Sequence, residues 1–385
     1  NLKRKLTDQQ LSNVASSLSI KNGANFSVPG AGKTTTTLAI WNHLYQVGDV
    51  NKLLVVCPIS VFDAWLNDEI IETFLDCPTS QVVSNETIKN SASVLVVNYE
   101  KLENQNILSK LKDWLKENNV KMVLDEAHRV KGGNRSTRWR GCKELAVLSY
   151  RIELLTGTPM PQSYEDLKNL FSLSWNNIPN SMLTDGQLSS LRPGGVFVRT
   201  TKAELNLPPP TIEEIPLDLS PVQNDIYDAL KRQYNGLFKI KTESRSILSK
   251  KGIAVMSLIA AASNPGLLVG RENESAYMNF SWPPKAVSSN SELMDIINHY
   301  AMTEMPSKYK WLYEFIKKSS NKNKKTIIWS NFVGNLKSLN RILKIFNPAL
   351  VYGGVSGDDR KEQISKFRND ENCHVLITNP QTLGE

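Results

Sequence analysis

Residues 27–34 read Ser27-Val28-Pro29-Gly30-Ala31-Gly32-Lys33-Thr34, and the rest of the chain is read from them. The octamer closes on Gly-Lys-Thr, the end of a phosphate-binding loop, although Ser stands at the first position where the strict pattern has Gly. Gly30 and Gly32 let main-chain N–H groups curl around phosphate oxygens where a Cβ would clash. Lys33 brings a cation to the β- and γ-phosphates and Thr34 offers a hydroxyl to Mg2+. A helix opening at Lys33 aims its N-terminal dipole at the same anion. Pro29, Ala31 and Thr35 complete the candidate nucleotide-binding segment. Taken alone, the octamer also fits a plain glycine turn before a helix, so the weight falls on the motifs downstream of it.

Further along the chain comes Val123-Leu124-Asp125-Glu126-Ala127-His128, an apolar strand pattern ending in two carboxylates. Asp125 is the candidate Mg2+ ligand through the ion's water shell, and Glu126 the group that orients or deprotonates an attacking water. With Lys33 they form the candidate catalytic set. An isolated Asp-Glu pair fits a solvated strand end equally well; its position after a phosphate loop favours the chemical reading. Next stands Leu154-Leu155-Thr156-Gly157-Thr158-Pro159, a strand ending in hydroxyls and a tight turn. His128, Thr156 and Thr158 are the candidates for coupling the nucleotide site to nucleic acid.

Short apolar runs recur, each followed by a helical pattern: Leu53–Cys57, Val94–Val97, Val120–Leu124, Ile152–Leu155, then Thr326–Trp329 and Val375–Thr378. Nearly continuous Val/Ile/Leu predicts parallel strands covered on both faces, and alternation with helices predicts an α/β fold. Between the two groups lies Leu205–Pro210, a stiff extended connector. Residues 221–270 show helical spacing, with Ile226, Leu230 and Leu237 on one stripe and Ile253, Met256, Leu258 and Ile259 on another. Residues 273–290 read as a Ser/Asn/Pro-rich loop.

The chain's 385 residues carry 46 Lys+Arg and 38 Asp+Glu, a net +8 that favours an anionic partner. Charged residues at 22% and hydrophobic residues at 40% exclude a largely disordered chain. No apolar run reads as a membrane span and no signal-peptide core follows the basic start. Cys57, Cys77, Cys142 and Cys373 stand far apart, which predicts reduced thiols in a cytoplasmic protein rather than a zinc site or disulfide framework. The start at Asn1 and the end at Gly384-Glu385, just past a strand pattern, make both ends read as cut.

In this order the motifs resemble a superfamily 2 helicase-type motor, and within it the Swi/Snf-type ATPases. Leu6-Thr7-Asp8-Gln9-Gln10 resembles the Q motif, with Gln10 the better match and Gln9 the alternative for reading the adenine edge. Val55-Val56-Cys57-Pro58-Ile59-Ser60 with Trp65 and Glu69 is similar to motif Ia, and Val97-Asn98-Tyr99-Glu100 to motif Ib. Phe197-Val198-Arg199-Thr200-Thr201-Lys202 with Leu207-Pro208-Pro209 resembles the stretch that closes the first lobe. Ser220-Pro221-Val222-Gln223, Tyr227 and Ser263-Asn264-Pro265 resemble the helical segment after it. Ile327-Ile328-Trp329-Ser330 resembles motif IV, and Tyr352-Gly353-Gly354 with Arg360 and Phe367 the next element. Val198 departs from the family's Arg-Arg pair. The box reads Asp-Glu-Ala-His where many remodellers have Gly for Ala, which fits bacterial-type members. Motif V begins at Val375 and motif VI is not reached, so no arginine finger is assigned.

The resemblance implies two RecA-like lobes of parallel α/β structure. Residues 1–215 would form the ATP-binding lobe, 216–300 a helical insertion, and 301–385 the start of a second, incomplete lobe. It also implies ATP and Mg2+ as the site's ligands and a nucleic-acid backbone, duplex DNA first, gripped by hydroxyls and main-chain amides. From motif position the contacts would come from Ser60, Lys131, Ser330 and Thr378. Lys317-Lys318 through Lys324-Lys325 reads as a solvated loop. Lys231-Arg232, Lys239, Lys241 and Lys250-Lys251 fit either a duplex brace or an exposed face. Trp114, Trp282 and Trp311 read as packing residues. The expected activity is DNA-stimulated ATP hydrolysis driving movement along duplex DNA, as the motor of an antiphage defence system with partner subunits. The alternatives are a strand-separating helicase and an ATP-gated DNA-binding scaffold.

Overall fold

The computed structural model describes residues 2–84, 88–160, 162–175, 184, 186, 195–205, 207–240, 244–268 and 291–383. The loop expected at 273–290, Trp282, Lys241 and the terminal Gly384-Glu385 lie outside them. The chain divides into two compact units, Asn1–Thr211 and Ile212–Glu385. The helices anticipated as a separate insertion belong to the second of these.

Unit 1 is built on seven parallel strands: β1 Gly23–Asn25, β2 Lys52–Val56, β3 Ser80–Val82, β4 Val94–Val97, β5 Val120–Asp125, β6 Arg151–Leu155 and β7 Phe197–Val198. Their order is β3-β4-β2-β5-β6-β1-β7. α1 Asp8–Ser19 precedes them, and between them lie α2 Lys33–Gln46, α3 Glu69–Thr73, α4 Gln105–Lys116, α5 Thr137–Leu148 and α6 Tyr164–Ser174. Successive side chains of a strand point to opposite faces, and both faces are covered. Leu54, Val56, Leu95, Val97 and Leu124 join one hydrophobic cluster with α4 and α5. Leu53, Val55, Val94, Val96 and Val123 join another with α2 and Trp65. This two-sided burial is why these strands read as unbroken apolar runs.

β1, β3 and β7, of two or three residues, have no counterpart among the apolar runs of the sequence. β7 also accounts for the departure at Val198. This residue pairs with Asn25 of β1 and is buried, so an arginine there would carry its charge into the sheet. At the opposite end of the sheet from the phosphate loop, Lys121 of β5 and Glu153 of β6 form a buried ion pair, Nζ to Oε2 2.5 Å. Beside them Arg151 donates to the carbonyls of Ser17, Leu18, Ile20 and Lys21, tying down the end of α1.

Unit 2 holds α7 Pro221–Phe238, α8 Arg245–Ser263, α9 Ser291–Thr303 and α10 Ser307–Ser320. A three-stranded parallel sheet comes next, formed by β8 Thr326–Trp329, β9 Ala349–Val351 and β10 Val375–Thr378 in the order β8-β10-β9. α11 Val333–Ile342, α12 Gly357–Asn369 and α13 Pro380–Leu383 complete it. Ile226 and Leu230 are buried and Leu237 packs beside them, as the spacing predicts.

The second stripe holds in part, with Met256 and Leu258 packed against the same cluster. α8 buries Ala254, Ser257, Ala260 and Ala261, while Ile259 is exposed, because small residues let α8 approach its neighbours closely. By composition Ser246–Ser263 is also apolar and long enough to cross a membrane, which amends the expectation that no run qualifies. Lys325 is a further correction. Rather than standing free in a solvated loop, it donates to the carbonyls of Phe367, Arg368 and Asp370 at the end of α12. A cation there suits the negative end of the helix dipole. Lys231, Arg232, Lys239 and Lys250 are exposed. Trp114 is buried in the core and Trp311 stacks on Phe315, centroids 5.1 Å apart.

Candidate nucleotide site

Strand register brings three motifs to one edge of unit 1. Asp125 is level with Leu155, and Leu155 with Asn25, across β5, β6 and β1. The chain therefore leaves the sheet at Ser27, Glu126 and Thr156 from adjacent strands at their C-terminal ends, where open α/β sheets bind ligands.

The phosphate loop turns through Gly30 at φ 82° and Gly32 at φ 75°, conformations that side chains with a Cβ adopt only under strain. Gly32 caps α2, leaving that helix's first N–H groups facing the loop. Lys33 Nζ donates to the Ser27 carbonyl at 3.1 Å, a position that curls it back over the loop. Ala31 is buried and its N–H donates to the Val28 carbonyl at 3.2 Å. A Cβ on Gly157 would come within 3.1 Å of the Pro29 ring, so the turn Thr156-Gly157-Thr158 lies close against the phosphate loop. Thr34 is half-buried beside them.

Thr35 departs from expectation. Its side chain is buried and its hydroxyl donates to Glu69 Oε2 at 2.7 Å, so only its main-chain N–H can serve a phosphate. Gln10 occupies a double position. Its Oε1 accepts the Thr7 N–H at 3.0 Å in the capping box of α1, and its Nε2 sits where a Cβ on Gly32 would collide with it. Of the two candidate glutamines, Gln10 therefore lies against the phosphate loop.

Asp125 is buried at the end of β5. Its Oδ2 accepts the indole N–H of Trp65 at 2.8 Å and its Oδ1 the N–H of Glu126 at 3.0 Å. Burial raises its pKa to about 6; the Glu126 charge adds to the rise, while Trp65, the Glu126 N–H and Lys33 act against it. Glu126 stands at φ 51°, a left-handed conformation that turns its side chain out of the strand direction. Burial pushes its pKa up as well. The His128 hydrogen bond and the charges of His128, Lys33 and Arg129 outweigh that and hold it below the ordinary value. Lys33 acts on both carboxylates, so the fold brings the phosphate loop and the acidic box within electrostatic reach.

His128 Nδ1 lies 3.1 Å from Thr156 Oγ1, 3.5 Å from Thr158 Oγ1 and 3.3 Å from Glu126 Oε2. An Nδ1–H tautomer donates to Glu126; the other tautomer accepts from a threonine hydroxyl. The Thr158 N–H also donates to Thr156 Oγ1 at 3.1 Å. The three coupling candidates and Glu126 thus form one connected cluster.

The nucleic-acid candidates fare unevenly. Ser60 is exposed in a one-turn helix, Ile59–Val61, after β2. Lys131 is half-buried and its carbonyl accepts from Asn169 Nδ2 at 2.7 Å. In unit 2, Ser330 Oγ accepts from the Phe332 N–H and Asn335 Nδ2. Thr378 is a correction: it is fully buried in β10, where its hydroxyl meets no solvent and is out of reach of a phosphate.

Sequence reasoning missed two residues as part of this site. Motif spacing places Trp65 only after motif Ia, yet it hydrogen-bonds Asp125. Tyr99 donates its hydroxyl to the Asp125 carbonyl at 2.7 Å. Burial and then the Asp125 charge push the neighbouring Cys57 thiol well above its ordinary range. All four cysteines are free, and among the described residues no His/Cys/Asp/Glu group has metal-binding geometry.

A phosphate loop after β1 and an acidic strand end after β5 thus meet at one edge of a parallel sheet, on either side of the turn after β6, the arrangement expected of a helicase-type ATPase core. Residues 21–184 match the family model of the SNF2-related domain and residues 307–380 that of the helicase conserved C-terminal domain. These two matches, in this order along the chain, support a superfamily 2 ATPase of the Swi/Snf type. It is 24% identical to Protein CHROMATIN REMODELING 4 of Arabidopsis thaliana, over 92% of this chain and 17% of that protein. It is 23% identical to DNA excision repair protein ERCC-6-like of Bos taurus, over 92% of this chain and 34% of that protein. The chain thus spans about a third or less of the length of these two relatives. In fold it is similar to the Hef helicase domain of Pyrococcus furiosus, with a TM-score of 0.57 at 15% identity, covering 97% of this chain and 85% of that one.

Proposed function

We propose that the chain couples ATP hydrolysis to movement along duplex DNA. The observation that carries this reading is the cluster at the C-terminal edge of β1, β5 and β6. There Lys33 acts on both Asp125 and Glu126, and His128 links Glu126 to Thr156 and Thr158. Main-chain N–H groups of the phosphate loop, with Lys33, bind the phosphates of ATP, and Gln10 lies beside them for the adenine. Glu126, kept ionised near neutral pH, orients and deprotonates water for attack on the γ-phosphate.

The donor set suits Mg2+. A buried carboxylate whose pKa is raised lacks a nearby cation sufficient to offset its burial, and Asp125 with the Thr34 hydroxyl supplies hard oxygen ligands. When bound, the ion screens phosphate charge during transfer. His128, Thr156 and Thr158 pass the change at Glu126 toward the nucleic-acid side. Ser60, Lys131 and Ser330 are the proposed backbone contacts.

DNA as the partner is supported by the SNF2-related domain match and by the similarity to a chromatin remodelling protein and a DNA excision repair protein. Its role as an antiphage defence motor in the cytoplasm, with partner subunits, is the finer part of this proposal. That part rests on the Asp-Glu-Ala-His spelling of residues 125–128.

The test is the steady-state ATPase rate of the chain with and without duplex DNA, followed by triplex displacement set against strand displacement. A rate that rises with DNA and removal of the third strand are the expected outcomes. A DNA-insensitive rate favours an ATP-gated scaffold, and unwinding without triplex removal favours a strand-separating helicase; either overturns the proposal.

A further inference from the structure

Ser27 stands where the strict phosphate-loop pattern has glycine, and its side chain is used. The residue is 1% exposed and its Oγ accepts the main-chain N–H of Thr200 at 2.8 Å, a residue 173 positions away. The Thr200 carbonyl accepts the N–H of Val28 at 3.0 Å, so residues 27 and 28 are held from both sides by one residue. Thr200 is itself 0% exposed, and its Oγ1 accepts from Asn13 Nδ2 at 2.8 Å. Asn13 lies on α1, the helix that carries Gln10.

The Ser27 carbonyl faces the other way, accepting from Lys33 Nζ at 3.1 Å. When Lys33 turns to a phosphate, it must weaken or give up that carbonyl. The Ser27 carbonyl then loses this donor, while the Ser27 hydroxyl stays fastened to Thr200. The chain beyond Thr200 is braced by a turn in which the N–H and hydroxyl of Thr201 both donate to Glu204 Oε2. It then runs through Pro208-Pro209-Pro210 into the second unit.

We propose that Ser27, Thr200 and Asn13 form a positioning relay. It carries the state of the phosphate loop into the segment leading out of unit 1, and into the helix that bears Gln10. None of the three touches the reacting atoms; they act through Lys33 and Gln10. A glycine at position 27 would leave the Thr200 N–H buried without a partner, a cost that a hydroxyl removes. The relay rests on the ATP-driven reading above, and the experiment separates the two.

Amide hydrogen exchange is followed on the full chain with and without saturating AMPPNP, after a titration has established that the analogue binds. In the unaltered chain, amides of residues 196–204 and of α1 exchange at least about threefold more slowly with the analogue. Ser27→Ala abolishes that response in 196–204, whereas Ser27→Thr, which keeps the hydroxyl, retains it. Thr200→Val abolishes the response in α1, and Thr200→Ser restores it. Should Ser27→Ala fail to fold, the Thr200 pair decides. Bound analogue with no response in 196–204, or a Ser27→Ala response equal to that of the unaltered chain, overturns the relay. Failure of the titration overturns the ATP-driven reading itself and the relay with it.

Discussion

Trp65 donates its indole N–H to Asp125 Oδ2 at 2.8 Å from a side chain with no exposed surface, although 60 residues separate the two in sequence. The bond fixes one oxygen of the carboxylate proposed to hold the metal and leaves the other to the Glu126 N–H. Trp65→Phe keeps the packing and removes the donor. An unpaired buried acceptor costs about 1–3 kcal/mol, so denaturant unfolding of the ligand-free chain should reveal that loss. ATP turnover should fall by about tenfold, the equivalent of about 1.4 kcal/mol of transition-state stabilisation. Unchanged stability and turnover would show the bond to be idle.

Asp125 also predicts a pH dependence. Burial, as the first cause, raises its pKa from 3.8 to about 6, so the folded chain binds the proton more tightly than the unfolded one. The resulting stabilisation is complete below about pH 3.8 and is lost as pH rises through about 6. At pH 7 the ionised, buried carboxylate therefore burdens the ligand-free fold. Asp125→Asn should stabilise it there by about 1–3 kcal/mol, and that advantage should shrink as pH falls from 7 to 4. Melting curves of both chains across this range are the check.

Two substitutions separate binding from turnover. Lys33→Ala removes the phosphate cation and should weaken ATP binding by about 10–100-fold, as expected for a charge-assisted bond. Glu126→Gln preserves shape and removes charge, so ATP should still bind while turnover falls by about 100-fold or more. Normal hydrolysis by the Glu126→Gln chain would falsify the role given to that residue.

The ion pair between Lys121 and Glu153 lies at the far end of the sheet. Lys121→Met leaves Glu153 charged and buried, and should destabilise unit 1 by about 3–5 kcal/mol. Adding Glu153→Leu should recover most of that loss, since both charges are then gone. Urea titrations of the single and double variants decide it, and failure of the second change to rescue would argue against charge as the cause.

Binding to duplex DNA should weaken steeply with salt, because phosphate contacts release counterions. Replacing Lys131 with Ala should reduce the slope of log affinity against log salt by about 1, with little change between DNA sequences. A slope independent of Lys131 would remove it from the proposed contacts.

How far the sequence could be read depends on what each element buries. β2, β4, β5 and β10 were legible because central parallel strands need apolar side chains on both faces. β1, reading Gly-Ala-Asn, has no such run. It is three residues long and is held by its neighbours β6 and β7. The phosphate loop and the acidic box were legible because their chemistry needs particular residue types at fixed local spacing. The directions of Thr35 and Thr378 were not. A helix start and a strand end each offer a hydroxyl to either side, and packing against Glu69 or within the second sheet chose the inward one.

The sequence alone determined a parallel α/β protein with a phosphate loop, an acidic strand end and a hydroxyl-bearing turn in that order. Local spacing and composition specify these features without reference to distant residues. Tertiary structure decided which groups meet: Trp65 with Asp125, Ser27 with Thr200, and Thr200 with Asn13 187 positions away. Contacts of that span are set by strand order and helix packing, which no short window of sequence encodes.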